Sequence, residues 1–233
     1  TVVITTSQAG LWTDSRYFLQ AAQQLEGTEI KLYKEMLPET PSISTFLSTQ
    51  LTPGDTVGID GKMFSAEEVE KMQAELQKCQ IEVKSISDPL DKLWTDRPPM
   101  PEAPAFIYET QYAGKSSIDK ITIIRKELKK CNAKALFLSA LDEIAWTLNL
   151  RGNDVHCNPV LVSYLLIEEN ETHYFIQPQK ITAEVATYMK ETGVNLHAYE
   201  EAETYLSRIS VESLLLNPAK TNYAMYSAVN PDC

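Results

Sequence analysis

The sequence predicts an α/β chain made of two similar lobes in tandem. Three observations carry this. Strand-like and helix-like runs alternate from end to end; the order hairpin, helix, strand, helix, strand, helix occurs twice; and a segment from Thr95 to Pro104 with four prolines lies between the two occurrences. Alternation of that kind marks a layered α/β structure. Proline removes backbone donors and stiffens the chain in an extended form, as a linker requires. At 233 residues the chain also exceeds the usual domain of about 100–150 residues. The expected division is domain I over residues 1–97, a linker over 98–104 and domain II over 105–233.

In the first lobe, Val2 to Thr6 and Leu11 to Thr13 are β-favouring runs joined by Ser7-Gln8-Ala9-Gly10, a hairpin composition. From Arg16 to Leu25, the residues Tyr17, Ala21, Ala22 and Leu25 share a helical face, with Asp14 and Ser15 as candidate N-caps. Strand 30–33, helix 42–50, strand 56–59, helix 65–78 and strand 81–86 follow. Trp94 precedes the proline-rich segment and is expected to anchor it against a lobe.

The second lobe opens with helix 117–130, strand 135–138 and a helix from Ala140 to Leu148, then the turn-rich Asn149 to Asp154. Val160 to Ile167 and Thr172 to Ile176 read as a hairpin about Glu168 to Glu171. Helix 183–191, strand 195–199, helix 201–209, strand 213–216 and helix 221–228 complete it. The helix, strand and helix ahead of this hairpin have no counterpart in the first lobe, so domain I is expected to be incomplete at its N-terminus.

Composition narrows the function. The apolar content of 43% with 23% charged residues is that of a folded domain. A net charge of -11, spread along the chain, disfavours binding to nucleic acid phosphates. Apolar runs such as Val160 to Ile167 are far shorter than the ~20 residues that cross a bilayer, and no secretory signal pattern opens the chain. Cys79, Cys131, Cys157 and Cys233 show no CxxC spacing, which fits neither a disulfide framework nor a zinc ribbon and suits a reducing cytoplasm.

Catalytic patterns are sparse. His156, His173 and His197 stand apart, with no HExxH or HxxxH spacing, and each reads as a surface or packing residue. There is no GxSxG, P-loop or GxGxxG, and 8 glycines leave few places for a phosphate-cradling loop. Glu67 with Glu68, and Asp142 with Glu143, lie where acidic side chains favour a helix N-terminus, and Ser139 with Asp142 resembles a capping box. Two segments hold more than packing requires. In Leu11 to Ala22 a strand ends in Asp14 and enters a helix bearing Arg16 and Tyr17. In Ala140 to Tyr164, Trp146 and Leu148 read as core, like Trp12 in the first segment, and Gly152 as a turn or cap. Arg151, Asp154 and Asn158 gather polar groups in a loop between helix and strand, where binding residues often lie.

At these residues the chain resembles the amino-terminal region of the Xaa-Pro aminopeptidases, of the three-domain type within the creatinase/prolidase group of metallopeptidases. The segments WTDSRYFLQA, LWTDRP and ALDEIAWTLNLRGNDVHCNPVLVSY carry the resemblance, in the right order and across both lobes. It implies two creatinase N-terminal-like lobes with a ribonuclease H-like motif, each a mixed β-sheet flanked by helices. In such enzymes the chemistry belongs to a third, pita-bread domain, which is absent from these 233 residues. There two divalent metals, usually manganese, are held by two Asp, one His and two Glu and activate a water that attacks the bond before proline. No residue here matches one of those ligands, so no cofactor and no catalytic residue is expected in this chain. Ser15 stands where relatives commonly carry Gly, and His156 and Cys157 fall at variable positions.

The resemblance implies a non-catalytic region that packs on its own C-terminal catalytic domain, narrows access for peptide substrates and contributes to a cytoplasmic homodimer. Arg151, Asp154, Asn158, Asp14, Arg16 and Tyr17 are the residues expected at the interdomain or active-site rim. A binding module of the same fold that has lost catalysis, for peptides or histones, is the alternative. A prolidase is disfavoured by the second lobe.

Overall fold

The computed structural model describes residues 1–231 and 233. The chain forms two compact units, one of Thr1–Ile59 with Val69–Lys84 and the other of Asp60–Glu68 with Ser85–Cys233.

In the first unit, β1 (Val2–Ile4) pairs antiparallel with β2 (Ala9–Thr13), Val2 opposite Leu11. The strand starts at Ala9, two residues earlier than the sequence suggests, because Thr5 and Gln8 close the turn: the Thr5 N–H donates to Gln8 O at 2.8 Å and Gln8 N–H to Thr5 Oγ1 at 3.0 Å. Gly10 therefore lies within the strand, where a Cβ would stand 2.6 Å from the Tyr33 ring and 2.7 Å from that of Trp12. A 3-10 turn over Ser15–Tyr17 leads into α1 (Phe18–Gln24), and the chain returns as β3 (Ile30–Lys34), parallel to β2 with Trp12 opposite Tyr33. Trp12, 2% exposed, stacks on Tyr33 with centroids 4.0 Å apart and meets Phe46 edge-on at 5.0 Å. Its indole N–H donates to Pro41 O at 2.9 Å, satisfying the one polar atom that burial would otherwise strand. Phe46 comes from α2 (Ile43–Gln50), capped by Ser42, whose hydroxyl accepts from Thr45 N–H. Next come β4 (Thr56–Asp60), α3 (Ala66–Leu76) and β5 (Glu82–Ile86), with β4 and β5 paired.

Beyond the proline-rich segment come β6 (Phe106–Ile107), α4 (Thr110–Ala113) and α5 (Ser117–Lys130), then β7 (Ala135–Leu138), α6 (Leu141–Leu148) and β8 (Leu150–Arg151), all in the second unit. The hairpin β9 (Ser163–Glu168) and β10 (Thr172–Ile176) is followed by α7 (Ala183–Glu191), β11 (Asn195–Ala198), α8 (Glu201–Arg208), β12 (Leu214–Leu215) and α9 (Tyr223–Ala228). The main sheet runs β11-β10-β9-β7-β12, with antiparallel pairs at its centre and parallel pairs at both edges. The unbroken apolar character of β9 and β10 reflects burial on both faces. Leu165, Ile167, Tyr174 and Ile176 pack with Ile121, Leu148 and Met189 on one side. Their neighbours Tyr164, Leu166 and Phe175 pack with Phe137, Leu206 and Met225 on the other, as the two-residue period of a strand dictates. The pairing order of β1, β2 and β3, antiparallel then parallel, recurs in β9, β10 and β11.

Two local expectations give way. Trp146 is 49% exposed and outside the core, its ring lying beside Lys120 Nζ at 4.6 Å. The helix after Ser139 has Ala140 at its N-cap and no side-chain cap, because the Ser139 hydroxyl pairs with that of Thr221 at 3.2 Å. Reciprocal capping occurs instead at Ser65 and Glu68, where Glu68 N–H donates to Ser65 Oγ and Ser65 N–H to Glu68 Oε2.

Candidate functional site

The loop from Asn149 to Leu161 is organised by buried polar groups of the second unit. Asn149, at φ 51°, ends α6 in the left-handed conformation that asparagine tolerates better than most residues. Its Oδ1 accepts from Lys120 Nζ at 2.5 Å and its Nδ2 donates to Lys115 O at 2.9 Å. Lys120 Nζ also donates to Trp146 O at 2.7 Å, and burial pulls its pKa below the usual lysine value. Arg151 follows on β8, which pairs with β6, Arg151 opposite Phe106. Its Nη1 donates to the carbonyls of Ala145 at 2.5 Å and Leu150 at 2.8 Å, and the guanidinium lies over the Tyr108 ring at 4.7 Å. Nη1 is thus held at the last turn of α6 and the start of β8, while the guanidinium plane rests on an aromatic ring.

Gly152 is buried without a positive φ; a Cβ there would stand 2.2 Å from Leu161 Cδ2. Close approach, and not a turn or a cap, selects glycine at this position. Beyond it the Asp154 carboxylate points inward. Its Oδ2 accepts from Val162 N–H at 2.7 Å and from Lys180 Nζ, both ionic side chains being fully buried. Its Oδ1 is buried with no hydrogen-bond partner. Asn158 is exposed, and its backbone N–H donates to Val155 O at 3.1 Å. One loop therefore holds Arg151, Asp154 and Asn158, with three different roles: a helix-end clamp, half of a buried ion pair and a surface amide.

Asp14, Arg16 and Tyr17 belong to the first unit. Arg16 Nε and Nη2 donate to Asp14 Oδ1 and Oδ2, both at 2.9 Å, while Asp14 Oδ1 also accepts from Arg16 N–H. The Arg16 guanidinium, together with that N–H, holds the Asp14 carboxyl down at about 2. Arg16 stands over the Tyr17 ring at 5.7 Å; its own side chain is largely open to solvent, and those of Asp14 and Tyr17 are partly so. They form a turn-stabilising cluster that presents a fixed charge pair and a phenol.

A further group was not legible as one in the sequence. His173, 4% exposed, has its Nδ1 at 3.0 Å from His197 Nε2 and its Nε2 at 3.0 Å from Tyr205 Oη. Glu171 and Glu168 carboxylate oxygens lie 3.2 and 3.8 Å from the same Nε2. Burial, with His197 beside it, lowers the His173 pKa, whereas burial and the neighbouring Glu171 raise that of Glu168. The register of two strands brings the histidines together: β10 and β11 are parallel with Phe175 opposite His197, so His173 sits diagonally across from His197.

Two sequence-family descriptions, each reading Creatinase/Prolidase N-terminal domain, match residues 1–93 and residues 96–233. The chain belongs to that family. It is 34% identical to Aminopeptidase P2 of Arabidopsis thaliana over all of its own length and 33% of that protein. It is 37% identical to Xaa-Pro aminopeptidase ApepP of Drosophila melanogaster, over 84% of this chain and 32% of that one. The crystal structure of X-prolyl aminopeptidase from Caenorhabditis elegans, described as a cytosolic enzyme with a di-nuclear active site, superimposes with a TM-score of 0.92 at 30% identity, covering 99% of this chain and 39% of the other. The creatinase N-terminal domains thus span about a third of the length of the curated relatives they match, and correspond to their amino-terminal region.

The residues present do not fit a dinuclear metal centre. Among the described residues, the group of side chains with metal-ligating atoms close together is Glu168, Glu171 and His173. One imidazole and two carboxylates on a single hairpin cannot bridge and enclose two ions, each of which needs at least three protein ligands. Among the described residues, no helix is long and apolar enough to cross a membrane.

Proposed function

We propose that this chain is the non-catalytic amino-terminal region of an Xaa-Pro aminopeptidase. In this reading its two domains, 1–97 and 105–233 about the proline-rich 98–104 segment, pack on a C-terminal domain that holds two divalent metals, manganese by preference. They limit access to short peptides with proline second and supply contacts to a cytoplasmic homodimer. The observation that carries the proposal is the end-to-end match to peptidase relatives about three times as long, in a chain whose described residues offer no dinuclear ligand set.

What the chain contributes is rigid positioning. Arg151 ties β8 to the end of α6 and to Tyr108, so the surface formed by this loop keeps one shape while a peptide enters or leaves. Asn158, exposed beside it, is a contact for the neighbouring domain or subunit. Asp14, Arg16 and Tyr17 present a second polar surface of the same kind.

Replacing Arg151 by alanine in the full-length protein frees two backbone carbonyls and uncovers Tyr108. The expected result is a fall of about three- to tenfold in kcat/KM for an Xaa-Pro-Xaa peptide, or a comparable weakening of assembly, as expected for the loss of roughly 1 kcal/mol of positioning. Steady-state kinetics and sedimentation read the two effects separately. Wild-type values in both would remove Arg151 from the rim.

A further inference from the structure

We propose that Glu168, Glu171 and His173 form a mononuclear site for a divalent transition metal, zinc by preference, at the mouth of the β9–β10 hairpin. The site belongs to this chain alone and does not rest on the reading of the whole protein as a peptidase.

The hairpin sets the geometry. Glu168 N–H donates to Glu171 O at 2.9 Å, closing the turn of Glu169 and Asn170 and placing the two glutamates opposite one another. Like charges directly across a strand pair are destabilising. Among the described residues, no lysine or arginine comes within 4.0 Å of either carboxylate. Two cations reach this hairpin from α5 and neither meets those carboxylates: Arg125 is spent on backbone, its Nε donating to Glu168 O at 2.8 Å and its Nη2 to Glu171 O at 2.9 Å, and Lys129 pairs with Glu169 at 3.3 Å. Arg208 borders the same cleft without an ion pair to either glutamate. Two neighbouring carboxylates thus face a buried imidazole nitrogen with no cation between them.

Distances favour a metal. A tetrahedral ion with bonds of about 2.0–2.2 Å holds its ligand atoms about 3.3–3.6 Å apart. His173 Nε2 lies 3.2 Å from Glu171 Oε2 and 3.8 Å from Glu168 Oε2, and the three ligand atoms all fall within 4.8 Å of one another. Glu171 and His173 are alternate residues of one chain segment and point to the same face.

The surroundings supply the rest. A metal-bound histidine commonly donates its other ring N–H to a fixed acceptor, which sets the tautomer. Here His173 Nδ1 lies 3.0 Å from His197 Nε2, and with the shared proton on Nδ1 the Nε2 lone pair is free for the ion. Binding displaces the hydrogen bond from Tyr205 Oη to Nε2, and that phenol then faces an open cleft of about 610 Å³ bordered by Glu168, His197 and Tyr205. The cleft leaves the fourth coordination position to water. An imidazole with two carboxylates suits zinc and its transition-metal neighbours, whereas magnesium and calcium take all-oxygen sets.

The test uses the 233-residue chain stripped of metal with a chelator and titrated with Zn²⁺ by calorimetry and with Co²⁺ by visible absorption. One equivalent of Zn²⁺ is expected to bind, with the intense d–d bands of tetrahedral Co²⁺. Glu171 is largely exposed, so Glu171→Gln should keep the native circular dichroism while weakening Zn²⁺ binding at least tenfold. His197→Gln should weaken it about tenfold or more, as loss of an orienting partner does. Glu200→Gln, on the cleft border, should change nothing. Absence of saturable Zn²⁺ binding overturns the proposal, and so does stoichiometric binding that survives Glu171→Gln with unchanged affinity.

Discussion

Replacing Asp154 by alanine is expected to cost the second unit about 3–5 kcal/mol of folding free energy, the range found when one partner of a buried ion pair is removed. Both side chains of the Asp154–Lys180 pair are fully buried, and Oδ2 accepts from Val162 N–H as well as from Lys180 Nζ. Without the carboxylate, an ammonium and a backbone donor stay in the interior with no acceptor. Lys180 cannot turn outward cheaply, because its own carbonyl accepts from Ala105 N–H at 2.9 Å and holds that segment in place. The double variant Asp154→Ala with Lys180→Met removes both charges and should recover much of the loss. Urea denaturation followed by far-UV circular dichroism measures the two variants and their coupling. A cost below about 1 kcal/mol for Asp154→Ala would mean that the pair is hydrated rather than buried.

Trp12→Ala should be equally severe in the first unit, at about 3–5 kcal/mol, the usual cost of emptying a tryptophan site. The ring is the centre of a three-aromatic cluster with Tyr33 and Phe46 that joins β2, β3 and α2. The substitution also frees the Pro41 carbonyl, which now accepts the indole N–H. Hydrogen exchange of the β2 and β3 amides reads the loss directly: their protection should fall by orders of magnitude. Trp146→Ala is the comparison, since that ring is half exposed, and it should leave the same amides unchanged. Equal effects of the two would contradict the assignment of the core.

The contrast between these tryptophans shows what a sequence can disclose. Both sit in motifs of the same family, and both read as core. Trp12 lies on a strand whose alternation points it inward, whereas Trp146 lies on α6, where Ile144, Ala145 and Leu148 already supply the buried stripe. Helical phase decides the matter, and a single aromatic at the stripe's edge does not reveal it. The alternation of elements, the helix over 42–50 and the hairpin of Val160 to Ile167 with Thr172 to Ile176 were legible because each depends on a few neighbouring residues. Short pieces such as β6 and α4 were not, since two to four residues carry no period.

Site residues divide in the same way. Arg151, Asp154 and Asn158 were legible as polar groups of one loop, but their separate roles depend on Tyr108, Lys180 and the end of α6, which are distant in sequence. Nothing in the sequence marks Lys180 as the partner of Asp154. His173 and His197 read as unrelated residues, and Tyr205 drew no notice, because a parallel pairing of β10 with β11 and the placement of α8 bring them together. Gly152 was noticed for its type and misread for its reason: the near approach of Leu161, not backbone handedness, excludes a side chain there.

The decisive assay incubates these 233 residues with Mn²⁺ and an Xaa-Pro-Xaa peptide, and follows release of the first residue by mass spectrometry. Domains that only shape a distant metallopeptidase centre should produce no cleavage above the peptide blank. Turnover that copurifies with the chain through successive columns and disappears on chelation would contradict that account.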